Sequence, residues 1–350
     1  MSSTSSTQQV QGLDSPWASL DTPVGWSLSK KAWIYSFGWF LQRTIKLVTF
    51  NVDRKIKPRK RSVWVDTGAD TGRCRLVMFF PRNYHRNQDG GPEKIGLVVH
   101  LHGGGWAICR PEIESALPQH IADTLGTIVI SPDYRKAPWW PYPHALLQIY
   151  NVLALISCGG INHLLPDDLP IPIDTSRIAI TGCSAGGNLA AAVTLLSTRR
   201  PLAGGANVVG LGLMYPVLDR PYSYETRIAR FGRRTMPGWF SQFIVEGYLP
   251  PPRDELDPYV SPLLAPEDAL AKFPKTVVVT AANDYLATEG DEFAQKLRDG
   301  GVDVQGKRFE DVVHGFDVAP TRDPAEILRN GKAREEAWGM IVRAFKTMLA

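Results

Sequence analysis

Gly182-Cys183-Ser184-Ala185-Gly186 is the stretch of this 350-residue chain best placed to do chemistry. A β-like run, Arg177–Thr181, leads into it, and a helix-like run, Asn188–Arg199, follows. G-x-S-x-G between a strand and a helix forms a sharp turn that lifts the serine hydroxyl out of the sheet, where a base can reach it. The turn is too tight for a side chain at either flank, hence the glycines. A serine hydroxyl is a poor nucleophile at neutral pH. It needs a base, an acid to orient that base, and donors for the oxyanion that forms on attack.

Chain order narrows the search, because a sheet built around such a turn takes its partners in the order serine, acid, histidine. Six of the seven histidines (His85, His100, His102, His120, His144 and His163) precede Ser184, and only His314 follows it. His314 lies in a predicted loop, Asp311-Val312-Val313-His314-Gly315-Phe316. The acid belongs after the preceding strand, Thr276–Thr280, where Asp284 is the first carboxylate; Asp311 falls on the wrong side of its loop, and Glu289 opens the next helix. For the oxyanion, His102-Gly103-Gly104-Gly105-Trp106 follows the strand Ile95–Leu101. Three glycines let backbone N–H groups approach a ligand closely. Gly103, Gly104 and Gly105 are the candidate donors there, with the N–H of Ala185 after the nucleophile.

These parts need a frame. Strands are predicted at Ser62–Asp66, Cys74–Phe80, Ile95–Leu101, Thr127–Ser131, Arg177–Thr181, Val208–Met214, Thr276–Thr280 and Val302–Phe309. Helices are predicted at Glu112–Leu125, Pro143–Ile156, Asn188–Arg199, Glu289–Asp299 and Pro324–Met348. Apolar strands alternating with helices imply a mostly parallel sheet with helices on both faces. Residues 1–15 read as disordered, and 1–55 as an N-terminal segment with cap helices. A catalytic domain spans 56–350, with a cap insertion at about 220–252 that breaks the rhythm with arginines, aromatics and Pro250-Pro251-Pro252.

Bulk properties exclude several classes. A net charge of +4, spread along the chain, gives no reason to expect nucleic acid. Four scattered cysteines without a C-x-x-C pair argue against a zinc site or a disulfide scaffold, and no metal or organic cofactor is expected. No basic region precedes an apolar core at the N-terminus, since Lys30 is the first basic residue; a secretory signal is not expected and the reading is cytoplasmic. Ile34, Phe37, Leu41, Ile45 and Val48 recur at helical spacing, which reads as an amphipathic helix packed on the body, with peripheral membrane contact as the other reading. The basic run Arg54–Arg61 reads as a solvated connector between that helix and the first strand, with a nuclear import signal as the other reading. Nothing in the sequence chooses between monomer and homodimer.

The sequence resembles the hormone-sensitive-lipase-like (family IV) esterases of the α/β-hydrolase fold. The matching motifs are His102-Gly103-Gly104-Gly105-Trp106, Asp133-Tyr134-Arg135, Ala137-Pro138 with Pro141-Tyr142-Pro143, Gly182 through Ala190, Asp257-Pro258 with Ser261-Pro262-Leu263, Asp284 with Glu289-Gly290, and His314-Gly315-Phe316. They run in the right order over roughly residues 95 to 316. The resemblance implies an eight-stranded sheet under a helical cap, with Ser184 as nucleophile, Asp284 as acid and His314 as base. Two positions depart from the family pattern. Cys183 stands where the family has an aspartate thought to brace the oxyanion loop, and Trp139 stands where it has a glutamate.

The expected activity is a two-step hydrolysis of a small or hydrophobic ester through an acyl-enzyme, with an acylated specialised metabolite among the substrates considered. An acyltransferase or an arylformamidase would use the same triad. A non-catalytic receptor on this fold is a further reading, disfavoured by the presence of His314. Trp106, Trp239, Phe240, Phe243 and Phe316 are candidate pocket walls, with plain core packing the equal alternative for each.

Overall fold

All eight predicted strands form one sheet: β1 Lys60–Asp66, β2 Arg73–Phe79, β3 Ile95–Leu101, β4 Ile128–Asp133, β5 Ile173–Cys183, β6 Val208–Met214, β7 Lys275–Ala281 and β8 Val304–Phe309. The computed structural model describes residues 16, 24–48, 56–82, 94–166, 173–220, 226, 228, 237–252 and 254–349. The strand order is β1-β2-β4-β3-β5-β6-β7-β8. The β1–β2 and β2–β4 pairs are antiparallel, and every other pair is parallel. The expected disorder of residues 1–15 lies outside the described residues.

Eight helices complete the described fold: α1 Leu28–Val48, α2 Ala116–Leu125, α3 His144–Ser157, α4 Ala185–Arg199, α5 Gly238–Tyr248, α6 Glu267–Leu270, α7 Ala287–Asp299 and α8 Pro324–Leu349. Successive strand side chains point to opposite faces, so each central strand feeds two cores. Leu97, Val99, Ile178, Ile180, Leu211 and Leu213 pack into one core with α3, α4 and α7. Val98, Ala179, Val277 and Val279 pack into the other with α2 and α8. This double burial is why the strands read as continuous apolar runs. No described helix is long and apolar enough to cross a membrane.

One predicted helix divides. Glu112–Leu125 becomes a 3-10 turn, Pro111–Glu114, and then α2 from Ala116. The break turns Glu114 inward, where it is buried. The amphipathic helix predicted near the N-terminus is α1. Its Phe37 ring lies 4.9 Å from Phe243 and 5.6 Å from Trp239, both on α5. Gln42 Nε2 donates to Ala107 O at 2.6 Å, and Lys30 pairs with Glu246 of α5 at 2.5 Å. Helix α1 therefore packs on α5 and on the loop after β3.

Candidate active site

Four parallel strands place their carboxyl ends at one edge of the sheet, and each is followed by a segment singled out in the sequence. Strand β5 ends at Cys183 and delivers Ser184; β7 ends at Ala281 and delivers Asp284; β8 ends at Phe309 and delivers His314; β3 ends at Leu101 and delivers the glycine loop.

Ser184 has φ 54° and ψ −120°, a conformation that ordinary side chains avoid and that costs about 1–3 kcal/mol. The surroundings enforce it. A Cβ on Gly182 would lie 2.2 Å from Gly186 O, and one on Gly186 would lie 2.0 Å from Leu101 O. Ser184 N donates to Met214 O at 2.9 Å and Ser184 O accepts from Val217 N at 3.3 Å, tying the turn to β6 and the residues after it.

His314 Nε2 lies 2.9 Å from Ser184 Oγ, and its Nδ1 lies 2.6 Å from Asp284 Oδ2. Because a carboxylate can only accept, the ring proton sits on Nδ1 and Nε2 is left to accept from the serine hydroxyl. Asp284 is buried, and its Oδ1 accepts from Leu286 N at 3.1 Å. Burial disfavours a charged His314 ring, but the Asp284 carboxylate outweighs it and holds the imidazole pKa above its usual 6.5. Tyr215, buried just past β6, meets the His314 ring edge to face at 4.9 Å. Its hydroxyl donates to Asp317 Oδ1 at 2.5 Å, and Trp338 Nε1 donates to Oδ2 at 3.1 Å. Nothing in the sequence singled out Tyr215 or Asp317; their places, directly after a strand and three residues after His314, were the available signal.

The glycine loop is held on several sides. Tyr134 Oη donates to His102 O at 2.7 Å and stacks on the His102 ring at 4.3 Å. Burial drives the His102 pKa down to about 4, so the ring is neutral, and its Nδ1–H donates to Gly103 O at 2.8 Å. The amides of Gly104 and Gly105 donate to no partner among the described residues. Ala185 is the first residue of α4, where helical N–H groups lack intrahelical acceptors. Gly103 corrects the expectation. Its N–H donates to Glu114 Oε1 at 2.8 Å, so it is not available to an oxyanion. Trp106 is pinned by its Nε1 donating to Asn188 Oδ1 at 3.3 Å and by stacking on Tyr248 at 4.3 Å.

These groups surround a cavity of about 220 Å³. Ser184, His314, Tyr215, the glycine loop and Trp106 line it, with Phe240, Ile244 and Val245 from α5 across from them. Of the five aromatics expected as walls, Trp106 and Phe240 are in place. Trp239, Phe243 and Phe316 are not. Trp239 is exposed beside Phe37, Phe243 is buried on the face of α5 that meets α1, and Phe316 is buried in the α2/α8 core beside Phe309. Trp139 stacks on Tyr35 of α1 at 6.1 Å and Trp140 carries the Arg135 guanidinium at 3.6 Å, so that departure is a packing feature away from the cavity. Glu289 receives Leu218 N at 2.7 Å, a structural bond. Nitrogen, oxygen and sulfur atoms of His100, Glu114 and Cys183 come within 4.8 Å of one another, a donor set able to hold a metal ion. Both Glu114 oxygens there already accept protein hydrogen bonds.

A family profile described as the α/β-hydrolase fold matches residues 98–318, more than half of the chain. The chain belongs to that family. This α/β-hydrolase is 33% identical over 233 residues to an arylesterase from Saccharolobus solfataricus, covering 64% of the chain and 69% of that relative. It is 30% identical over 224 residues to an esterase from Gibberella moniliformis, covering 63% and 67%. Among solved structures, a Pyrobaculum calidifontis esterase superposes with a TM-score of 0.72 at 25% identity, covering 89% of this chain and 94% of that one. A thermostable carboxylesterase from a metagenomic library gives 0.72 at 26% identity, with 89% and 98% covered. The α/β-hydrolase sits in the hormone-sensitive-lipase-like group and is an enzyme of the carboxylesterase type.

Proposed function

We propose that this α/β-hydrolase is a serine carboxylic-ester hydrolase in which Ser184, His314 and Asp284 form the catalytic triad. The carrying observation is the continuous chain of hydrogen bonds from Asp284 through His314 to Ser184, 2.6 and 2.9 Å long, on the wall of a cavity. Ser184 Oγ attacks the ester carbonyl carbon while its proton passes to His314 Nε2. The oxyanion takes hydrogen bonds from Gly104, Gly105 and Ala185 N–H. The C–O bond to the alcohol breaks, and His314 returns the proton to the departing oxygen. Water then repeats the sequence on the acyl-enzyme and releases the acid. Helices α1 and α5 together form the cap, with α5 facing the substrate.

The cavity of about 220 Å³ is smaller than the roughly 300–1,000 Å³ of sites for drug-sized ligands. A short acyl group on a small apolar alcohol fits this size. With p-nitrophenyl esters from acetate to long chains, kcat/KM is expected to peak at short acyl groups and fall steeply beyond them. A serine-directed phosphonate should attach to Ser184 alone, as read by peptide mass mapping. Labelling at another residue, or no turnover of any activated ester, would overturn the proposal.

The raised His314 pKa sets the pH dependence. The base works only when neutral, so activity appears as pH rises through that pKa. The kcat/KM profile is expected to have its acid-side midpoint above the ordinary imidazole value of 6.5. A midpoint at or below that value would remove the Asp284–His314 pair as its cause.

A further inference from the structure

We infer that Glu114 is the positioning residue of the oxyanion loop: its buried carboxylate takes the Gly103 N–H and thereby aims the amides that follow toward Ser184. The inference rests on the esterase reading above and adds a residue to it.

The observation is a buried ion that acyl transfer does not itself consume. Glu114 is 5% exposed, and no lysine or arginine pairs with it among the described residues. Its Oε1 accepts from Gly103 N at 2.8 Å, and its Oε2 lies 3.0 Å from His100 Nε2. Burial works against the charge, but these bonds outweigh it and hold the carboxyl below its ordinary range. A buried ion is a poor stabilising device, because desolvation offsets what its partners return. Its geometry points to a different task.

Each peptide is planar and trans, so its C=O and the next N–H point in opposite directions. The plane joining residues 102 and 103 is gripped at both ends: Tyr134 Oη donates to His102 O, and Glu114 receives Gly103 N–H. The next plane is gripped by His102 Nδ1–H on Gly103 O. Because Gly103 O is held, Gly104 N–H must point the other way. Glu114 is the only charged member of this clamp. A Cβ on Gly103 would lie 3.1 Å from both Cys183 O and Glu114 Oε1, so residue 103 is wedged between the nucleophile turn and the carboxylate. Cys183, just before the nucleophile, contributes no charge, since burial pushes its thiol well above the ordinary range. Glu114 thus supplies the carboxylate that position 183 lacks.

The test compares Glu114→Ala, Glu114→Gln and the parent enzyme on one p-nitrophenyl ester, with thermal midpoints recorded. Removing an oxyanion donor outright costs about 100- to 1,000-fold in kcat. Glu114→Ala leaves the donors present but unaimed, so kcat is expected to fall about 100-fold, with KM changed by no more than about threefold. Glu114→Gln keeps a carbonyl oxygen for Gly103 N–H and should recover most of that loss. Should the alanine variant fail to fold, Glu114→Asp draws the carboxylate back by one methylene and is expected to show the same kcat loss. Parental kcat in folded Glu114→Ala or Glu114→Asp, a loss confined to KM, or equal damage from Gln and Ala would each overturn the inference. Failure of the esterase reading looks different: there the parent enzyme itself does not turn over the ester, or Ser184→Ala matches it.

Discussion

Ser184→Ala is expected to lower kcat by about a million-fold, the loss seen when a serine triad loses its nucleophile. That corresponds to about 8 kcal/mol of transition-state stabilisation. The substitution deletes one atom, and the deleted Oγ has His314 Nε2 as its hydrogen-bond partner. Alanine meets the same backbone constraint at φ 54°, so the turn should hold and the thermal midpoint should stay near that of the parent. No neighbour can take over. Cys183 Sγ is buried with its pKa pushed well up, so the nucleophilic thiolate is absent. The measurement is single-turnover hydrolysis of an activated ester by enzyme titrated for folded protein. Residual activity above about a thousandth of the parent would exceed what oxyanion donors and binding alone provide, and would remove Ser184 from the mechanism.

Asp284→Asn is the second large effect, with an expected drop in kcat of about ten-thousand-fold. The side chain keeps its shape, so it still fills the buried site beside Leu286 N. What changes is the partner offered to His314 Nδ1, now 2.6 Å from a carboxylate oxygen. An amide NH₂ turned toward the ring makes Nδ1 the acceptor and drives the ring proton to Nε2, which then cannot accept from Ser184. The charge that stabilises the imidazolium also disappears. The two consequences are separable. The plateau of the pH profile should fall, and its acid-side midpoint should move down, because Asp284 is what lifts the His314 pKa against burial. Parental kcat would show that the carboxylate does not hold the ring in its working tautomer, and an unmoved midpoint would show that it does not lift the His314 pKa.

Much of the frame was legible in the sequence because the sheet is buried on both faces. Strands β3 and β6 appear at their predicted bounds, Ile95–Leu101 and Val208–Met214, since a doubly covered parallel strand is an unbroken apolar run. Strand β5 extends beyond its prediction to Ile173, where polar residues interrupt that signal. Ser184, Asp284 and His314 could be singled out because chain order leaves few candidates. Two things could not be read. The first is which face of a helix meets which neighbour. Trp239, Phe240 and Phe243 are close in sequence on α5, but only Phe240 lines the cavity, because α1 covers Phe243 and leaves Trp239 beside Phe37. The second is the partner of an amide. Gly103 looked like its two neighbours, and only the break before α2 turns Glu114 toward it from eleven residues away.

The contact between α1 and α5 has a bearing on how such an enzyme can change. Helix α1 spans Leu28–Val48 and so lies before the stretch shared with the family, residues 98–318, whereas α5 lies within it. Phe37 presses on one side of α5 while Phe240 and Ile244 line the cavity beside Ser184 on another. A mutation at Phe37, or at Trp33, which stacks on it at 5.5 Å, can therefore retilt that wall without altering any residue that lines the cavity. Mutant libraries confined to cavity positions would leave that route unsampled. Exchanging the first fifty residues between relatives would sample it directly.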